Sequence, residues 1–215
     1  CRNKSKESED MDSFQTTILE VMEFTWPMIA ICLVILTSLR LTYLLKNKKN
    51  IVLYKEILSL FFIIYILCLF QVVTYQDVSV GMYNNNFMPF HEMTRYSFGS
   101  RLFLKNVLGN MLLFFPFGLF ASYYTKNDKG WIAFLLSLLA SFTIEVTQLA
   151  IGRAFDIDDI ILNVVGGMLG FLFYYAITKL WSTFPKFLKS RWFLDTVSVL
   201  LLIVLLGVIY MVVLV

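Results

Sequence analysis

Long apolar runs alternate along this chain with short polar interruptions, and the length of the runs decides what they build. Six of them reach the roughly 20 residues that an α-helix needs to cross a hydrocarbon core. They lie at about 21–45, 57–75, 107–124, 131–151, 159–181 and 193–215. The pattern predicts an all-α, polytopic helical membrane protein with about six transmembrane helices. Residues 1–17 mix both charge signs with little apolar content and read as a polar N-terminal tail. Residues 18–215 read as a single transmembrane domain. The longest stretch outside the runs is 76–105, and a loop of that length in a compact protein is usually functional or disordered.

Composition sharpens this reading. At 59% hydrophobic and 15% charged residues, with a mean hydropathy of +0.74, the chain falls outside the range of soluble globular domains. The net charge of +3 includes no block of basic and aromatic residues, so nucleic acid is not a predicted partner. Cys1, Cys32 and Cys68 offer neither a disulfide framework nor metal-binding spacing. Cys1 fits a lipidated mature N-terminus and equally a truncated or mis-started chain, with Met11 as the true start. With the N-terminus outside, inside loops hold eleven Lys and Arg residues and outside segments seven. The positive-inside rule therefore puts the 76–105 loop and the turn after Gly152 on the extracytoplasmic side.

The candidate chemistry clusters where the fourth run meets the fifth. Ser137, Ser141, Glu145, Gln148 and Gly152 recur at three- and four-residue steps, which places them on one face of a helix. A carboxylate two turns inside a span must face the bundle or a wet cavity, so Glu145 is a functional candidate, with interhelical hydrogen bonding as its structural alternative. The turn beyond it carries Arg153, Asp156, Asp158 and Asp159. Three acids and an Arg suit a divalent cation or an internal ion-pair cage. Asp156 or Asp158 is also well placed as the N-cap of the fifth helix, a role that explains one aspartate better than all three.

Asn163 follows Asp159 by one turn and either bridges helices or orients that acid. Gly166, Gly167 and Gly170 read as a close-packing surface. On the third run Asn106 and Asn110 share a face at four-residue spacing, and Pro116 is expected to bend the helix. His91, the single histidine, lies beside Glu92 on the same predicted side. No His-Glu-x-x-His, Gly-x-Ser-x-Gly or phosphate-binding Gly-rich motif is present, which removes the commonest zinc protease, serine hydrolase and nucleotide-binding readings.

Taken together, Asn86-x-x-Pro89-Phe90, Asn106-x-x-Gly109-Asn110, Phe115-Pro116-Phe117-Gly118, Glu145-x-x-Gln148, Arg153, Asp156, Asp158-Asp159 and Asn163-x-x-Gly166-x-x-x-Gly170 resemble the VanZ-like family of small bacterial membrane proteins. The resemblance covers about residues 82–175, with its core in spans three to five. It implies a multi-pass protein of the bacterial cell membrane, associated with low-level resistance to teicoplanin-type glycopeptides, and it implies no settled reaction.

The expectation is an extracytoplasmic polar site that binds or modifies an envelope lipid or a peptidoglycan-related ligand. Glu145 and Asp159 would serve as general bases or cation-binding carboxylates, and Arg153 would hold an anionic headgroup. Gln148, Asp156, Asp158, Asn163, Asn106, Asn110 and His91 would bind or orient. The rival expectation is a non-catalytic accessory or binding protein whose polar residues lock spans three to five together, with a small transporter as a third.

Overall fold

The computed structural model describes residues 27–28, 30–48, 50–75, 85–91, 94, 100, 103–126 and 128–214. The polar tail therefore lies outside the described residues, as does the start of the first expected span. Six α-helices follow one another among the described residues: α1 (30–46), α2 (Leu53–Tyr75), α3 (Gly109–Thr125), α4 (Gly130–Ala150), α5 (Ile157–Leu180) and α6 (Arg191–Leu214). A π-helical turn, Leu104–Leu108, leads into α3. Four stretches, Leu53–Gln71, Asn106–Thr125, Gly130–Ala150 and Ile157–Leu180, are long and apolar enough to cross a membrane. The protein is an all-helical membrane protein, as the hydrophobic runs predict.

The chain divides into two compact units, one of residues up to Tyr75 with those from Pro185 onward, the other running from Gln76 to Phe184. In the first unit α2 packs on α6. Polar groups gather around the start of both helices. Arg40 Nε and Nη2 donate to the two carboxylate oxygens of Glu56 at 2.9 and 3.1 Å. Tyr54 N–H donates to Asp195 at 2.9 Å, and Arg191 Nη2 donates to the Ile51 carbonyl at 2.6 Å.

In the second unit α3, α4 and α5 run up, down and up. The parallel pair α3 and α5 has the most extensive packing of any two helices, and glycine makes it possible. A Cβ at Gly166 would fall on the Met111 carbonyl oxygen, and one at Gly170 on that of Phe115. A Cβ at Gly118 would meet the carbonyl of Gly167. Without side chains at these positions the two backbones touch along matching four-residue steps. That is how apolar helices gain association energy where no hydrophobic effect drives them together.

The antiparallel pair α4 and α5 is zipped differently. Ser137 of α4 abuts Gly167, and one turn along Ser141 Oγ accepts from Asn163 Nδ2 at 2.9 Å. Each four-residue step on α4 is matched by one on α5, which carries Glu145 to the level of Asp159. The polar face expected of α4 is therefore its buried face: Ser137, Ser141, Glu145 and Gln148 are all buried. Gly152 leaves that face. It closes α4 with φ +88°, donating to the Leu149 carbonyl at 3.1 Å while Arg153 N–H reaches the Gln148 carbonyl at 2.9 Å. This is a Schellman stop, which selects glycine because other residues are strained at positive φ.

Candidate functional site

Every segment needed to build the site meets at one end of the second unit: the start of α3, the last turns of α4, the turn 151–156, the start of α5, and residues 85–91. The helix α5 begins at Ile157, two residues before the apolar run suggests, because Asp156 caps it. The Asp156 backbone is extended and its Oδ1 accepts the Asp158 N–H at 2.8 Å. The same Oδ1 also takes a hydrogen bond from Asn86 Nδ2 at 2.8 Å. Asp156 is thus a cap first, as its position at the head of an apolar run suggests.

Glu145 is only 1% exposed, and its Oε2 accepts the Asp156 N–H at 2.9 Å. Asp158 is equally buried, and its Oδ1 accepts the Phe90 N–H. Two carboxylates withdrawn from solvent thus hold backbone donors of non-helical segments. Burying either without such a donor would be costly. Asp159 is half-buried and accepts from Asn110 Nδ2, which ties the start of α5 to the start of α3. Arg153 is half-buried in the turn and lies near enough to act electrostatically on both Glu145 and Asp159.

The remaining candidates sort by depth. Asn163 is buried and reaches across to Ser141, so it bridges helices rather than orienting Asp159. Gln148 is buried on the α4 face, and its carbonyl ends that helix. Asn106 falls within the π-helical turn, where Gly109 N–H reaches the Leu104 carbonyl. His91 is exposed and closes a turn by donating its N–H to the Met88 carbonyl at 3.4 Å. Among the described residues no three His, Cys, Asp or Glu side chains are grouped to hold a metal ion.

The structure gives site-building contacts to residues that sequence reasoning names only within the family motif or not at all. Asn86 N–H donates to the Phe155 carbonyl at 2.8 Å and its carbonyl accepts from Ile157 N–H at 3.1 Å, forming a single-residue parallel bridge with Asp156. Asn85 Oδ1 accepts the Phe155 N–H at 2.9 Å, and the rings of Phe87 and Phe155 stack at 5.4 Å. The consecutive asparagines before Pro89 are a turn signal. Their partners lie 70 residues away, beyond the reach of any local pattern.

Ser137 lies on the polar face of α4 that the sequence predicts. Its hydroxyl is buried against Gly167 with no hydrogen-bond partner among the described residues.

Comparison with known proteins finds a family model and a relative. The family model described as VanZ/LLP1 matches residues 57–181, more than half of the chain and a range that includes every residue of the site. Over 77 residues the chain is 38% identical to Protein VanZ of Enterococcus faecium. That stretch covers 35% of this chain and 47% of the relative, so the match spans about half of the relative's length. No solved structure matches.

Proposed function

The chain belongs to the VanZ/LLP1 family, and on that premise we propose that it is a bacterial cell-membrane protein whose polar end, on the extracytoplasmic side, binds or modifies an envelope lipid or a peptidoglycan-related ligand and so contributes to teicoplanin-type glycopeptide resistance. The observation that carries this reading is the division of labour among the charged groups. Glu145 and Asp158 are enclosed and hold backbone N–H groups, whereas Asp159 and Arg153 are half-buried at the rim of the same cluster. In this reading Arg153 pairs with an anionic headgroup, and Asp159, oriented by Asn110, is the carboxylate that meets the ligand. Glu145 stands behind them as the second carboxylate.

A second reading is favoured by a specific observation. Glu145 Oε2, Asp156 Oδ1 and Asp158 Oδ1 each accept a backbone N–H, which is what a structural lock in a non-catalytic accessory protein requires. One experiment separates the two. The full chain and its variants are expressed in a glycopeptide-susceptible bacterium, membrane levels are checked by immunoblot, and the minimal inhibitory concentration of teicoplanin is measured. Glu145→Gln retains an oxygen able to accept the Asp156 N–H while removing the charge. Loss of resistance in Glu145→Gln and Asp159→Asn at normal membrane levels supports chemistry at the carboxylates. Full resistance in both leaves the accessory reading. No rise in inhibitory concentration with the unaltered chain rejects the resistance proposal outright. Sidedness is tested by labelling the exposed positions Lys48→Cys and Thr94→Cys in intact cells with an impermeant maleimide, where reaction at position 48 alone inverts the orientation.

A further inference from the structure

The residues that cover the polar end are not polar. Phe87, Met88 and Phe90 are 65%, 71% and 56% exposed, yet the segment carrying them is tightly held. Asn86 is bonded through N–H, carbonyl and side chain, Met88 N–H donates to Asn86 Oδ1 at 3.1 Å, and Phe90 N–H donates to Asp158. Phe90 adopts φ +67° at the third position of the turn Met88–His91, directly after Pro89, where glycine or asparagine is usual. A bulky residue there carries a conformational penalty, and three exposed apolar side chains on a fixed turn are unfavourable in water.

The hydrogen bonds also set the depth of this segment. Glu145 lies five residues before the end of α4, which at 1.5 Å per residue is about 7 Å inside it. Because Asp156 N–H bonds to Glu145, the turn after α4 folds back down along the helix, and residues 85–90 follow it through the Asn86–Asp156 bridge and the Phe90–Asp158 bond. At and beyond the level of Glu145 the outer face of α4 is still apolar and exposed, at Val146, Leu149 and Ile151. Leu108 and Leu112, flanking Asn110 on the approach to and first turn of α3, are exposed as well. The apolar tip is therefore level with the last lipid-facing residues of two spanning helices.

We infer that residues 85–91 and 153–157 form a paired re-entrant strap, and that Phe87, Met88 and Phe90 insert among phospholipid acyl chains just beneath the headgroups of the adjoining leaflet. Non-helical backbone at that depth persists only when its polar groups are satisfied within the protein. This gives a physical reason for the unusual supply of acceptors: Asn85 Oδ1 for Phe155 N–H, Glu145 for Asp156, Asp156 for Asp158, Asn86 Oδ1 for Met88 and Asp158 for Phe90. Aromatic side chains at the headgroup boundary are favourable there. The inference concerns the lipid surface and stands whether or not the site is catalytic.

The test is spin-label depth measurement on the full chain, with its three cysteines replaced, in phosphatidylglycerol–phosphatidylethanolamine vesicles. A nitroxide at Met88→Cys should collide more with oxygen than with a water-soluble nickel chelate, as a label at Leu112→Cys on the lipid face of α3 does. A label at Asp128→Cys, in the polar turn between α3 and α4, should show the reverse. Preference for the nickel chelate at position 88, with the Leu112 label behaving as a lipid-facing control, overturns the inference. Adding Asn86→Ala to the Met88 label should shift it towards the aqueous reagent. An unchanged oxygen preference would overturn the claim that these hydrogen bonds hold the strap at depth.

Discussion

The two units each gather charges at helix ends, and they satisfy them by opposite means. Around the start of α2 and α6 cations meet anions: Arg40 forks onto Glu56, and Arg191 lies 3.6 Å from Asp195, with the arginine side chains more than half exposed. At the polar end of α3–α5 the buried carboxylates meet backbone N–H groups and amides instead. The first arrangement is held in contact with water, where an ion pair is worth little. The second is withdrawn from water, so each lost partner leaves an orphan whose desolvation is uncompensated. The difference teaches that Glu145 and Asp158 are tied to the path of the backbone, while Glu56 is tied to an arginine and Asp195 lies beside both an arginine and the Tyr54 N–H.

Substitutions can break that contrast, and the largest effect is expected beneath the site. Gly118→Val places atoms where the Gly167 carbonyl lies, between backbones that cannot separate without opening α3 from α5. It should destabilise the protein by about 3 kcal/mol or more, read as a lower melting temperature in detergent and loss of monodispersity. Next comes Asp158→Ala, which removes the buried carboxylate that accepts the part-buried Phe90 N–H. A loss of about 1–3 kcal/mol is expected, together with faster proteolysis within residues 85–91. An unchanged protease pattern would show that Asp158 does not hold this segment.

Arg40→Ala should cost less than about 1 kcal/mol, and the difference from the unaltered protein should shrink further in high salt. A larger, salt-insensitive loss would erase the distinction between the two clusters. The smallest expected effect is at Ser137, whose hydroxyl is buried without a hydrogen-bond partner among the described residues. Ser137→Ala removes that unsatisfied group while keeping the Cβ beside Gly167, so stability should stay level or rise by up to about 1 kcal/mol. A clear loss would reveal a polar role for Ser137 in the protein's function or folding.

Much of this was legible in one dimension. The apolar runs at 57–75, 107–124, 131–151 and 159–181 match helices to within a few residues, because crossing a membrane imposes both a minimum length and a composition. The face Ser137, Ser141, Glu145, Gln148 was legible because helical periodicity is local, and Asp156 was legible as a cap because a cap belongs to the helix it starts. That Asn106 falls in a π-helical turn was not legible, since such a turn looks like an α-helical one in sequence. Asn85 and Asn86 were passed over as site builders because their partners, Phe155, Asp156 and Ile157, are set by chain folding and not by spacing.

Hydropathy and period alone therefore establish that the protein lives in a membrane, which residues span it, and which face of α4 turns inward, since each of these is a property of neighbouring residues. Which acid meets which donor was left to the packing. The glycines bring α3 against α5, and the Ser141–Asn163 bond sets α4 against α5 in register. Only then does Glu145 reach Asp156, Asp158 reach Phe90, and Asp159 reach Asn110. Hydrogen bonds act over about 3 Å, and that proximity is created by helices closing on one another.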